Sequence, residues 1–395
     1  MSVKAHLKMI LNMLELLFNK SKIILITLLI PFLLGSCNVH EWPEIEEERF
    51  PFVLNLIFDD DLPLYKEVYY TRQKVDQVAE ENFYDIRYLV NVYKVEDEND
   101  VSREIYASYV FSKPYESEHD YQAILSLPEG NYRFRIWSDH VGMGTQSDLF
   151  YKTSDFTEII LDESGSHPGN NEMRDAFRGN TYGSVYDPDL YEIRNGSRPE
   201  NSATATMQRP MGRYEFISTD MDEFLDKVVK NIDSAVIDAL IKARSEENEK
   251  DTYSNPSEKY WNGLTRDEVS EAAGLDKYTV EFSYNAFMPS SYNMYTDRPS
   301  DSSTGIKFQG KMSIGEEGMQ MGFDYVLVDE NTTMNLNMKI YNADGEMVAS
   351  TAGVEVPIVR SKNTVVKGTF LTANSSGGVF INPDFEGDDY NIEIH

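Results

Sequence analysis

From residue 52 onward the chain is dominated by short runs in which apolar and polar residues alternate. FVLNLIF (52–58), DIRYLVNVYK (85–94), IYASYVFS (105–112), YQAILSL (121–127) and NYRFRIWS (131–138) are rich in β-branched and aromatic residues. Alternation with period two turns one face of each run toward a core and the other toward solvent, so these runs are predicted strands. In the last of them Tyr132, Phe134 and Ile136 share one face, expected in the core, while Arg133, Arg135 and Trp137 share the other. Leu127-Pro128-Glu129-Gly130-Asn131 joins a proline, which presets φ, to a glycine that takes positive φ, so a tight hairpin is expected between its flanking strands. Residues 139–200 are richer in Gly, Asn, Ser and Asp, with candidate strands at 157–161 and 180–185, and are expected to form long connections at one end of a sandwich. ATATMQR (203–209) closes this first region.

At Pro210 the pattern restarts with GRYEFIST (212–219) and then changes period. Phe224, Leu225, Val228, Val229, Ile232, Val236 and Leu240 recur at three- and four-residue spacing, which predicts an amphipathic helix over 221–245. Thr265-Arg266-Asp267-Glu268 reads as a capping box opening a short helix that Gly274 ends. Strand signals resume at 278–284, 306–312, 324–329, 334–342, 346–359, 365–371 and 390–394, with Asp344-Gly345 as a hairpin turn. Many short strands separated by turns predict an antiparallel sandwich in each half.

Ahead of the strands lies a different pattern. IILITLLIPFLL (23–34) is an apolar block of twelve residues, too short to cross a bilayer as a helix, which needs about 20. Lys4, Lys8, Lys20 and Lys22 precede it and Gly35-Ser36 follow it, directly before the chain's single cysteine, Cys37. Leu34-Gly35-Ser36-Cys37 therefore resembles a bacterial lipobox: 1–36 is an expected signal peptide, and Cys37 is the expected lipidated first residue of the mature protein. With that thiol acylated, no disulfide holds the fold. NVHEWPEIEEERF (38–50), with one proline and five glutamates, reads as a tether.

The chain has 395 residues, and its 67 acidic and 36 basic side chains give a net charge of −31. So acidic a protein repels phosphate backbones, and nucleic acid is not an expected partner. The histidines His6, His40, His119, His140, His167 and His395 show no ligand spacing. Ser138-Asp139-His140 has the residue types of a catalytic triad, but neighbours on an extended strand point to opposite faces and cannot converge. Asp59-Asp60-Asp61, Asp187 with Asp189, and Asp384 with Asp388 and Asp389 follow no calcium-loop spacing. Trp42, Trp137 and Trp261 form no common pattern. No enzyme activity, cofactor or metal is expected.

GRYEFIST, YTVEFSYNAFMPSSYNMYTDRPSDSSTGIKFQ, FDYVLVDE, MNLNMKIYNADGEMV and VPIVRSKNTVVKGTFLT, in that order, resemble the second domain of fimbrillin-like lipoproteins of Bacteroidales. PFVLNLIFDDDLPLYKEVYYTR, YDIRYLVNVYK, LPEGNYRFRIWSD and RDAFRGN resemble the first domain of the same proteins, whose relatives include minor and anchor subunits of type V pili. The resemblance implies a mainly β fold of two transthyretin-like β-sandwich domains; the pattern along the chain places them at 50–209 and 210–395, behind a tether at 37–49, and the helical insertion at 221–274 in the second is a departure from the family. It further implies lipid anchoring at the outer membrane or cell surface, a role in fimbrial assembly or adhesion, and pilin-like subunits as partners through β-strand addition. Host or bacterial surface ligands are further candidate partners. A surface glycan-binding lipoprotein of a nutrient uptake system is the alternative. The C-terminal strand 390–394 is expected to stay in its own sandwich, since a subunit held at Cys37 has no partner below it to receive a strand.

Overall fold

The computed structural model describes residues 47–59, 84–96, 103–115, 119–162, 166–181, 190–195, 201–230, 232, 234–239, 266–315, 318–372, 374–375 and 390–394, with isolated residues 8, 12 and 242. Alternation becomes strand over most of the predicted runs, while residues 182–185 of the run predicted at 180–185 lie outside the described residues, and Phe50–His395 forms one compact unit. In the first half the strands are β1 (Arg49–Phe58), β2 (Tyr84–Val95), β3 (Ala107–Pro114), β4 (Tyr121–Pro128), β5 (Gly130–Gly142), β6 (Tyr151–Lys152), β7 (Ile159–Leu161), β8 (Phe177–Thr181), β9 (Tyr191–Ile193) and β10 (Ser202–Gln208). All but β6 and β7 join one sheet in the order β3-β2-β5-β8-β10-β1-β4, with β9 also on β5.

This sheet curls around its own core. Phe52 on β1 stacks on Phe134 of β5 at 5.0 Å, although two strands lie between them in the sheet. The two end strands approach each other as well: the Tyr109 hydroxyl donates to the Ser126 carbonyl at 2.9 Å and Lys113 Nζ to the Asp120 carbonyl at 3.1 Å. The expected hairpin at 127–131 does not form, because β4 pairs with β1 while β5 pairs with β2, β8 and β9. Pro128 and Gly130 instead turn the chain through an arch from one side of the curled sheet to the other. Burial decides between the two: Leu125 and Leu127 meet Tyr132 and Phe134 across a shared core rather than side by side.

In the second half the strands are β11 (Met211–Ser218), β12 (Thr279–Tyr284), β13 (Met288–Asn293), β14 (Arg298–Ser303), β15 (Lys307–Lys311), β16 (Ser313–Ile314), β17 (Met319–Leu327), β18 (Asn331–Tyr341), β19 (Met347–Val359), β20 (Asn363–Gly368), β21 (Asn374–Ser375) and β22 (Tyr390–Ile394). Two sheets, β16-β17-β11-β20-β22 and β15-β12-β18-β19-β21, face one another around Phe216, Phe282, Phe308 and Val356. The Asp344-Gly345 turn closes the β18–β19 hairpin, with Gly345 at φ 79°. The sheets are mixed: β1 with β10, β11 with β20, β20 with β22 and β19 with β21 run parallel. The C-terminal β22 lies in the chain's own second half, as the edge strand beside β20.

The helix predicted over 221–245 is shorter. Helix α1 (Met221–Val229) buries Met221, Phe224, Leu225 and Val229. It stops at Lys230, ahead of Asn231 and Asp233, which are poor helix formers. Residues 234–239 are helical again, but Val236 is 44% exposed rather than part of the core stripe, and Leu240 lies outside the described residues. Helix α2 (Arg266–Ala273) ends at Gly274, whose φ of 63° is the left-handed conformation that a C-terminal glycine supplies. Thr265 of the capping box lies outside the described residues.

A fourth sheet joins the halves. Its order is β14-β13-β7-β6, so strands from 151–161 pair with strands from 288–303. Trp137, on the outer face of β5, is fully buried beneath this sheet beside Tyr151 and Tyr292. Both faces of β5 are therefore core at this end. Close packing continues at Gly169, where a Cβ would lie 2.3 Å from the Phe308 ring, itself stacked on Phe282 at 4.8 Å. Gly169→Ala should therefore lower stability by about 1–3 kcal/mol in urea titration, and should cost less in a Phe308→Ala background, where the ring is gone. Unchanged stability would mean that the ring is free to move.

Candidate functional site

The segment between β7 and β8 carries the densest polar structure. Within it Asn170 takes the left-handed conformation at φ 57°, which asparagine tolerates. Its backbone N–H donates to the Phe323 carbonyl at 2.9 Å, and its side-chain oxygen accepts the Phe323 N–H at 3.2 Å. A single residue thus pairs with the side of β17 that faces away from β11. The 3₁₀ turn at Glu172–Arg174 follows, opened by the Asn171 side chain accepting from the Met173 N–H at 2.9 Å.

From this turn Arg174 enters the second half and pairs with Asp324 of β17, both side chains 1–2% exposed. Asp324 also accepts from His167 Nε2 at 2.7 Å, from the Tyr284 hydroxyl at 2.7 Å and from the Tyr325 N–H at 2.8 Å. The Tyr214 and Tyr284 hydroxyls lie 2.8 Å apart, and Arg174 Nη2 donates to the Tyr325 carbonyl at 3.2 Å. Behind Arg174, its own carbonyl accepts from the Tyr151 hydroxyl at 2.7 Å. Burial pushes the Asp324 carboxyl up, but the Arg174 charge, then His167 and Tyr284, outweigh it and hold the group below the ordinary carboxylate range. Burial, then the Asp324 charge, raises the Tyr214 and Tyr284 hydroxyls well above the ordinary tyrosine value, so both remain protonated.

Further ion pairs surround this centre. Glu172 meets Arg213 at 3.0 Å and the Tyr325 hydroxyl at 2.6 Å, and Arg213 continues to Glu215 and Asn363. Arg209 Nε reaches both Asp175 oxygens, at 3.0 and 2.9 Å. Asp297, on the β13–β14 turn, holds Arg178 of β8 and Arg360 together. The Tyr295 hydroxyl of the same turn donates to that of Tyr93 on β2 at 2.7 Å. In the first half Arg87 takes both oxygens of Asp139, at 2.9 and 2.7 Å, and reaches Asp148 at 2.9 Å. The chemistry of these groups is positional: each charge meets a fixed partner, and the pairs that cross between the halves, Arg174–Asp324, Glu172–Arg213 and Arg178–Asp297, orient one half against the other.

The sequence-level candidates separate here. Cys37, His6, His40, His395, Trp42, Trp261, Asp60, Asp61, Asp187, Asp189, Asp384, Asp388 and Asp389 lie outside the described residues. Among the described residues, no three His, Cys, Asp or Glu side chains are grouped as metal ligands. Ser138, Asp139 and His140 are all buried on β5, with Asp139 turned to Arg87 and His140 to the backbone at 173–175. A narrow crevice beside them, bounded also by Phe58, His119 and Phe177, totals 180 Å³ but is nowhere wide enough to seat a water molecule. Arg174 and Asp324 were not singled out from the sequence. A signal existed in charged residues set inside apolar strand runs, as in MGFDYVLV and MGRYEFIS.

His140 Nδ1 donates to the Met173 and Asp175 carbonyls at 3.1 and 3.2 Å, while Nε2 has no partner among the described residues. Burial lowers the ring pKa to about 4, with the two carbonyls opposing and Arg209 adding to the shift. The unfolded ring titrates near its ordinary 6.5, so the stabilising contribution is complete above that value and is lost as pH falls toward 4. His140→Asn keeps a donor for the carbonyls without the titration. It should remove about 2 kcal/mol of the stability difference between pH 7 and pH 5 in denaturant titration. An unchanged difference would place the acid sensitivity elsewhere.

Comparison with solved structures finds low-identity likenesses. The fimbrial anchor protein Mfa2 from Porphyromonas gingivalis is 10% identical with a TM-score of 0.34, over 77% of this chain and 82% of that one. The tip fimbrial protein Mfa3 from the same organism is 12% identical with a TM-score of 0.32, over 78% and 81%. A protein from Bacteroides thetaiotaomicron, proposed to bind polysaccharide, is 10% identical with a TM-score of 0.36, over 77% and 79%. No curated protein matches the chain. A family model matches residues 52–395, most of the chain, and the protein belongs to that family, a family of unknown function (DUF6562).

Proposed function

We propose that this chain is a lipid-anchored cell-surface protein that acts as a structural or anchor component in fimbrial assembly or adhesion. The observation that carries the reading is the arrangement at residues 23–50: an apolar block, Leu34-Gly35-Ser36-Cys37 with the chain's single cysteine, and then an acidic tether that leads into a mainly β body. Acyl chains on Cys37 would add about 0.8 kcal/mol of membrane affinity per buried methylene, enough for stable anchoring with two or three chains. No helix among the described residues is long and apolar enough to cross a membrane. Polar contacts that fix the two halves against each other suit a part that transmits force between an anchor and a partner. Partners would be pilin-like subunits joined by strand addition at a sheet edge.

Cys37→Ser should abolish metabolic labelling with a fatty-acid analogue and release the protein from the membrane fraction. Continued labelling and retention would overturn the anchor. Crosslinking on intact cells, followed by pull-down, tests the role: pilin-like subunits should be captured, whereas an outer-membrane transporter with glycan-degrading enzymes would replace this reading with a nutrient-uptake one.

A further inference from the structure

Adjacent strands β4, β1 and β10 turn a common outer face to solvent beside the part of the sheet that the second half covers. Its positions from Pro51 to Ile57 on β1 are Pro51, Val53, Asn55 and Ile57; β4 adds Gln122, Ile124 and Ser126, and β10 adds Ser202, Thr204, Thr206 and Gln208. Every one is exposed or half-buried, with Ile124 63% and Ile57 46% exposed, and none is charged. In a chain where 26% of residues are charged, such a face is a departure from its own composition. Charges return at its margins, with Arg49 and Asp59 at the two ends of β1 and Asp120 beside β4. A neutral centre with a charged rim is the anatomy of a protein interface.

We propose that this face is a self-association surface on which a second copy of the chain docks, independently of the anchor reading. The charge distribution selects the occupant. Two copies each carrying −31 repel wherever their acidic surfaces meet, and approach most easily through a face that carries no charge. A two-fold contact places a surface against itself, so the surface must complement its own chemistry. Amides and hydroxyls do so because each both donates and accepts, and Ile57 and Ile124 can bury against their counterparts. Gln122 Nε2 already donates to Asn55 Oδ1 at 2.9 Å, which orders the amides across the strand pair. A glycan-binding face would instead call for aromatic platforms, and these outward positions hold no aromatic residue.

Three strands by seven residues give a patch of about 15 by 23 Å, roughly 350 Å². A stable complex buries about 800 Å² per partner, so the contact is weak and acts where copies are crowded.

Sedimentation of the full chain in detergent, over a concentration series, tests the proposal. A weak, reversible dimer is expected. It should tighten as salt rises, because screening removes repulsion without breaking ion pairs at the contact. Ile124→Glu and Thr204→Glu, both at exposed positions, add like charge to the contact between two acidic copies and should each raise Kd at least tenfold. A chain that stays monomeric at millimolar concentration overturns the proposal, as does a dimer insensitive to both substitutions or one that loosens with salt. A cysteine introduced by Ile124→Cys in a Cys37→Ser chain should react rapidly with a thiol reagent in the dilute monomer. Protection there would show that another segment of the same chain covers the face, which also overturns it.

Discussion

The Arg174–Asp324 pair is the constraint around which the two halves are arranged. Both charges are almost wholly withdrawn from water, and a lone buried charge is strongly unfavourable unless a partner and hydrogen bonds replace its hydration. Asp324 obtains that replacement only when His167, Arg174 and Tyr284 converge on it from two regions far apart in sequence. The segment that brings His167 and Arg174 must then lie along β17, and Asn170 holds it there through two backbone-like hydrogen bonds. Displacing either half would leave a charge in the interior without compensation.

Buried ion pairs of this kind contribute little net stability compared with well-packed apolar residues, but removing one partner is costly. Their effect here is to select one relative orientation. The apolar layer at Trp137, Tyr151 and Tyr292 provides the burial, and the charged contacts determine how that layer is aligned. Asp297, whose side chain is 39% exposed, links Arg178 and Arg360 at the rim of this junction. Charges paired in this way fix the junction while the chain as a whole stays strongly acidic.

What the sequence made legible follows from the range of the interaction involved. β2, β5 and the β18–β19 hairpin were readable because alternation and an Asp-Gly turn are local. The arch at 128–130 was not, since a Pro-Glu-Gly bend serves a hairpin and an arch equally, and only the distant partners of β4 and β5 distinguish them. β13 and β14, read as MPSSYN and RPSDSS, have weak strand propensity and are held by pairing with β7 and by docking of their turn. The α1 stripe extended too far because periodicity records which residues could share a face, not where tertiary support ends. The charged junction was hidden for a related reason: Arg174 and Asp324 are 150 positions apart, and nothing local ties one to the other.

The most direct test of the junction is a double-mutant cycle on that pair, measured by equilibrium denaturation of the full chain. Arg174→Met and Asp324→Leu should each cost about 3–5 kcal/mol, because each strands the opposite charge in the interior. The double variant should lose much less than the sum, with one cooperative transition in the parent chain. Additive losses, or single substitutions within about 0.5 kcal/mol of the parent, would show that the pair does not hold the two halves together.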